Sequence, residues 1–181
     1  MNWFEAAAKI GGEAVTLQLF AMRSMASDDA FHRAYTNATQ QAFLEAHEHS
    51  FAYFHGVFTT LRYDNLSSAV KKILRGRQRV ETERIIASRS HWGFSSQYCT
   101  PASGHEKGGV EGELGWYRRN LLVPVPEARD VAELNEQLLT ACIASRDRTM
   151  KGKPTTVGEA FQLMRPESNC RPTRPKVARS L

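Results

Sequence analysis

Hydrophobic and polar positions alternate most clearly near the start of the chain, where Val15, Leu17 and Leu19 interleave with Thr16 and Gln18 as in a half-buried strand. Gly11-Gly12 just before them punctuates a hairpin. The stretch from Trp3 to Lys9 reads two ways: it can be the first hairpin arm, or a helical turn with Glu5 and Lys9 at i,i+4 spacing. A third strand is expected around Phe31 to Tyr35. Asn37 followed by Gln40 resembles a capping box, opening a helix that turns Phe43, Leu44, Phe51 and Phe54 to the core and stops at Gly56.

From Val57 to Tyr63, period-two alternation places Val57, Leu61 and Tyr63 on one face, with Asp64 and Asn65 at the strand mouth. A basic amphipathic stretch from Ser68 to Ile86 follows and takes the place of a second helix. Gln97 to Thr100 is a short strand candidate ended by Pro101, and Ser103 with Glu106 caps a helix reaching about Asn120. Beyond Pro124 and Pro126, the spacing of Val131, Leu134, Leu138 and Cys142 predicts an amphipathic helix. After Arg165, prolines mixed with Arg171, Arg174, Lys176 and Arg179 predict a disordered basic tail. The expected units are residues 1–122 as a core, 123–164 as a helical extension and 165–181 as the tail.

Composition narrows the class. With 181 residues and 41% hydrophobic content the chain can bury one good core. No apolar run approaches membrane-spanning length and Met1 to Lys9 lacks a signal-peptide pattern, so a cytoplasmic protein without a membrane partner is expected. Cys99, Cys142 and Cys170 are widely spaced, which fits reduced thiols rather than a zinc knuckle or disulfide framework. A net charge of +5 permits a polyanionic partner without requiring one.

The chemistry-bearing residues are acidic. Asp64 at a strand end and Glu111, within Lys107-Gly108-Gly109-Val110-Glu111, suggest divalent-metal phosphoryl transfer on nucleic acid. Taken singly, Asp64-Asn65 is an ordinary turn and Glu111 a solvated helix residue. On the expected helix, Glu111, Gly115 and Arg118 share a face. His47, His49 and His55 read as surface or boundary residues, because positions i and i+2 of a helix point apart. Lys71, Lys72, Arg75, Arg77 and Arg79 are either a solvated face or phosphate contacts. Trp116 and Tyr117 read as core packing rather than base-stacking platforms.

The element order, three strands, helix, strand, helix, strand, helix, is that of the ribonuclease-H-like fold, a mixed five-stranded sheet flanked by helices. Five phrases make the resemblance specific: Phe20-Ala-Met-Arg-Ser24, Ala30-Phe-His-Arg-Ala-Tyr35, Thr39-Gln-Gln-Ala-Phe-Leu-Glu45, Leu61-Arg-Tyr-Asp-Asn65 and Gly104-His-Glu-Lys-Gly-Gly-Val-Glu111. Together they resemble the integrase-like catalytic core of IstA-type transposases, the larger proteins of two-gene bacterial insertion sequences. The likeness runs from about Asn2 to about Phe161.

That resemblance implies a site of two aspartates and one glutamate binding two Mg²⁺ (or Mn²⁺) ions, with Asp64 as the second aspartate and Glu111 as the glutamate. It implies DNA contacts from Lys107, Arg118 and Arg119, with Lys71 and Lys72 as further candidates. The implied partners are transposon-end and target DNA, the ATPase helper protein of the same element, and further copies in a full-length homo-oligomer. Asn2, before Trp3, stands where the first aspartate belongs. An amide brings no charge to two dications, so impaired catalysis and loss of at least one metal are expected. Asp28 and Asp29 lie outside the expected strand, and Glu5 could substitute only if the strand register shifted. Because the chain opens on this strand, without helix-turn-helix regions before it, a truncated copy is expected. The alternative is a non-catalytic remnant that binds DNA, full-length transposase or the ATPase helper as an interaction or inhibitory protein.

Overall fold

The computed structural model describes residues 1–63, 70–73, 79–99, 115, 117, 119–149, 152–164 and 170–171. The first half contains β1 (Asn2–Ile10), β2 (Glu13–Arg23), β3 (Ala30–Tyr35), α1 (Gln40–Tyr53), β4 (Val57–Phe58) and β5 (Thr60–Tyr63). Then come β6 (Val70–Ile73), β7 (Arg79–Glu81), α2 (Glu83–Trp92), β8 (Ser95–Tyr98) and β9 (Glu127–Ala128). The chain continues with α3 (Val131–Ala144), a 3-10 turn (Ser145–Asp147), α4 (Val157–Met164) and β10 (Cys170–Arg171).

β1 and β2 form an antiparallel hairpin in which Ile10 pairs with Glu13. Gly11 and Gly12 between them have φ of 59° and 86°. Two successive positive φ values are what a primed two-residue turn demands, and glycine meets them without Cβ strain. The Trp3 to Lys9 ambiguity therefore resolves as strand, with Phe4, Ala6 and Ala8 buried on one face. β3 pairs antiparallel with β2, and β9 pairs parallel with the end of β1, giving a mixed sheet in the order β3-β2-β1-β9.

Helices cover both faces of this sheet. Phe20, Met22 and Phe31 face α1, where the Phe20 and Phe43 rings lie 6.2 Å apart and Phe31 meets Tyr53 at 5.4 Å. On the other face Phe4, Leu19 and His32 meet α3, whose Leu134, Leu138 and Cys142 are buried as their spacing predicts. The mixed α/β class is as expected. The sheet itself has four strands; β5 pairs in parallel with β8 as a separate ladder, and the Met1 amino group donates to the Arg62 carbonyl at 2.7 Å between the two.

Local corrections have local causes. The cap of α1 is Thr39, whose Oγ1 accepts from Ala42 N at 3.1 Å, rather than Asn37. At the other end His55 takes the left-handed conformation, φ 53°, and Gly56 N donates to Phe51 O. The basic stretch is not one helix: β6 and β7 pair antiparallel, and α2 starts only after Thr82. Val70, Ile73 and Val80 are β-branched and favour the extended form. Cys170 and Arg171, within the expected tail, pair with β4.

The segment after α3 is clasped to the β2–β3 turn. Asp29, with no exposed surface, accepts from Tyr53 Oη at 2.6 Å and from Arg146 Nε at 3.0 Å. The Arg146 guanidinium also lies over the Tyr53 and Phe161 rings, 4.3 and 5.0 Å from their centroids. Gly158 lets α4 approach closely, since an added Cβ would stand 3.2 Å from the Arg146 carbonyl oxygen. No helix among the described residues is long and apolar enough to cross a membrane.

Candidate metal and nucleic-acid site

Asn2 opens β1, half-buried, on the face that Phe4, Ala6 and Ala8 share by alternation. Pairing aligns it with Ala21, and Ala21 with His32, so the three make one row across the sheet. Tyr117 stacks on the His32 ring, centroids 3.3 Å apart and planes at 19°. Tyr117, in the helical run that includes Gly115 and 119–121, therefore approaches the sheet on Asn2's own face. The Met1–Arg62 hydrogen bond brings the end of β5 beside the start of β1.

Of the residues singled out by sequence, Asp64, Lys107, Glu111 and Arg118 lie outside the described residues. Arg119 is exposed on the helix, its guanidinium beside Gly115. Lys71 and Lys72 fall on β6. Tyr117 is buried, as core packing requires. Asp28 and Asp29 are committed elsewhere: Asp28 pairs with Arg23 and Lys153, and Asp29 with Arg146. Burial pushes the Asp28 carboxyl up, but its Lys153 and Arg23 partners outweigh this and hold it below the usual range. Glu5 accepts from Gln18 at 3.3 Å and sits at an odd position of β1, on the side opposite Asn2. Among the described residues no three His, Cys, Asp or Glu side chains gather as a metal cage.

His47 is not a surface histidine. It is buried among Phe20, Phe43, Phe51 and Phe94, and burial pulls its pKa down to about 4. Its Nδ1 lies 2.7 Å from the Phe43 carbonyl and its Nε2 3.0 Å from Tyr63 Oη. A carbonyl only accepts, so Nδ1 carries the proton and Nε2 accepts from the Tyr63 hydroxyl. The signal was present in sequence, since Phe43, His47 and Phe51 recur at i, i+4 and i+8 on one helical stripe. On the other face burial brings His32 down to about 3 and raises the Cys142 thiol to about 12, keeping both neutral.

No family model matches the chain. Curated proteins do match: a transposase for insertion sequences IS1326/IS1353 from Pseudomonas aeruginosa is 35% identical over 143 residues, covering 79% of this chain and 28% of its own length. A transposase from Aminobacter aminovorans is 36% identical over 141 residues, 78% of this chain and 28% of that protein. Over these residues the chain is a relative of the insertion-sequence transposases. It spans a little over a quarter of the length of these relatives. The fold of the transposase-like chain is similar to a solved chain of the simian T-cell lymphotropic virus intasome in complex with the PP2A regulatory subunit B56 gamma. That match has a TM-score of 0.62 and 12% identity, and covers 99% of this chain and 59% of the other.

Proposed function

We propose that this chain carries the catalytic core of a DNA transposase, a polynucleotidyl transferase site in which Asn2 has replaced one of three acidic ligands. The observation that carries the reading is the row Asn2–Ala21–His32 with Tyr117 seated on it, since it gathers the first strand and the segment that follows Glu111 on one face. The Met1–Arg62 hydrogen bond adds the strand that leads into Asp64. Tyr63, the residue before Asp64, turns inward to His47. A ribonuclease-H-like sheet, with β5 and β8 continuing β1, is the arrangement this reading implies.

The donor set fits one divalent ion better than two. Asp64 and Glu111 supply hard, charged oxygens, whereas Asn2 offers a neutral amide oxygen, and Asp28, Asp29 and Glu5 are turned away or already paired. When bound, Mg²⁺ or Mn²⁺ would acidify an attacking water or 3′-hydroxyl and stabilise the leaving oxygen of the phosphodiester. The protein's own part is to hold the carboxylates on one face and the DNA backbone beside them through Arg118, Arg119, Lys107, Lys71 and Lys72. An exchange of Asp for Asn at a metal ligand removes charge that Asp28, Asp29 and Glu5 do not return, so cleavage and joining of transposon ends should be weak in this chain.

End cleavage and strand transfer on transposon-end oligonucleotides with Mg²⁺ or Mn²⁺ test the reading. The expected result is little product from the chain itself, a gain on Asn2→Asp, and loss of that gain when Asp64→Asn is added. An Asn2→Asp protein that binds neither Mn²⁺ nor DNA ends would overturn it. Asn2 also favours a second reading, in which the fold binds DNA or a full-length transposase without turnover; salt-sensitive DNA binding with no product even from Asn2→Asp supports that outcome.

A further inference from the structure

Two hydrogen bonds within the aromatic core link α1 to the end of β5. The Phe43 carbonyl accepts from His47 Nδ1, and His47 Nε2 accepts from Tyr63 Oη, at 2.7 and 3.0 Å. Both rings are walled by aromatics: Phe43 lies 4.3 Å and Phe20 5.4 Å from the His47 centroid, and Tyr98 stacks on Tyr63 at 5.5 Å. In such surroundings a hydrogen bond is strong and its loss leaves a costly unpaired group. Tyr63 is also the last residue of β5, and its carbonyl accepts from Cys99 N at 3.0 Å, closing the end of the β5–β8 ladder.

We propose that His47 is a positioning residue: by holding the Tyr63 hydroxyl from α1, it fixes the end of β5 and so the backbone that presents Asp64. The proposal rests on the reading of Asp64 as a metal ligand. A phenylalanine in place of Tyr63 would fill the same space and lose only the hydroxyl, and a leucine in place of His47 would lose the acceptor. Glutamine at position 47 offers an amide oxygen that can accept from Tyr63 and keeps the function of Nε2. Neutral His47 in the Nδ1–H form is required, because the other tautomer would set a bare Nδ1 against the Phe43 carbonyl oxygen.

The experiment uses the full chain and its Tyr63→Phe, His47→Leu, His47→Gln and Asp64→Asn variants. Amide exchange at Cys99 reads the end of β5, amides of the β1–β2 hairpin serve as the control, and Mn²⁺ titration followed by electron paramagnetic resonance reads the site. In Tyr63→Phe we expect Cys99 to exchange about tenfold faster with hairpin amides unchanged, and Mn²⁺ affinity to fall about tenfold, the range typical of groups that orient metal ligands. His47→Gln should retain most of the affinity that His47→Leu loses. Unchanged Cys99 exchange and Mn²⁺ affinity in Tyr63→Phe would overturn the positioning role and leave the metal reading standing. Mn²⁺ binding that is absent, or that Asp64→Asn does not weaken, would instead overturn the metal reading and the positioning role with it, whatever Cys99 does.

Discussion

Asp29 and Arg146, on the β2–β3 turn and the 3-10 turn after α3, form a salt bridge at 2.9 Å in which the carboxylate has no exposed surface. Buried carboxylates are costly without a partner, so removing the cation should cost more than removing the pair. Arg146→Met is expected to destabilise the fold by about 3 kcal/mol, and Asp29→Asn added to it should return part of that loss. Urea unfolding of the two single variants and the double variant measures this; additive losses would show that the two side chains do not act as a pair.

Two buried histidines set a pH dependence. In the unfolded chain both titrate near 6.5, whereas in the fold His47 sits at about 4 and His32 at about 3. Their folded values are depressed, so unfolding takes up protons, and the stability present above pH 6.5 is lost as pH falls toward those folded values. Between pH 6.5 and 5, ahead of most carboxylate titration, each histidine should contribute a slope that rises from about 0.7 kcal/mol per pH unit at pH 6.5 toward about 1.4 near pH 5. Unfolding free energies across this window check it, and His47→Gln should reduce the slope by close to one proton's share.

Restoring the acidic ligand should change metal affinity before it changes anything else. Asn2→Asp is expected to tighten Mn²⁺ binding by about tenfold or more at low salt, because a carboxylate adds a charge where a hard cation prefers one. Isothermal titration reads the gain. Equal affinities in the two proteins would mean that position 2 does not reach the ion.

Phosphate contacts by the β6 lysines would appear in the salt dependence of DNA binding. Lys71→Ala and Lys72→Ala should each weaken binding across all sequences and reduce the slope of log affinity against log salt by about one. Fluorescence anisotropy with an arbitrary duplex suffices. Slopes that do not move would assign both lysines to a solvated surface.

Much of the fold was legible in the residues because local rules agreed with the tertiary outcome. Gly11-Gly12 and the alternation in β2 announced the first hairpin, and the spacing of Leu134, Leu138 and Cys142 announced α3. The basic stretch misled because lysines and arginines carry helical periodicity and solvated charge equally well, and the β-branched residues among them decide for a hairpin. The burial of His47 follows from Phe43 and Phe51, which flank it on the buried stripe, and its histidine neighbours carry no sign of it. Asn2 was legible as a departure only through resemblance to transposases, because an asparagine at a strand start is unremarkable by itself. The clasp of Asp29 by Arg146 was hidden by its span along the chain.

Asn135 on α3 grips both the N–H and the carbonyl of Ala34 on β3, at 2.7 and 3.0 Å, at the outer strand of the sheet. Its amide mimics an incoming peptide and occupies the pairing groups that a neighbour's strand would seek. That border is thereby sealed at Ala34. A strand that added at this edge would first have to displace the Asn135 amide from Ala34.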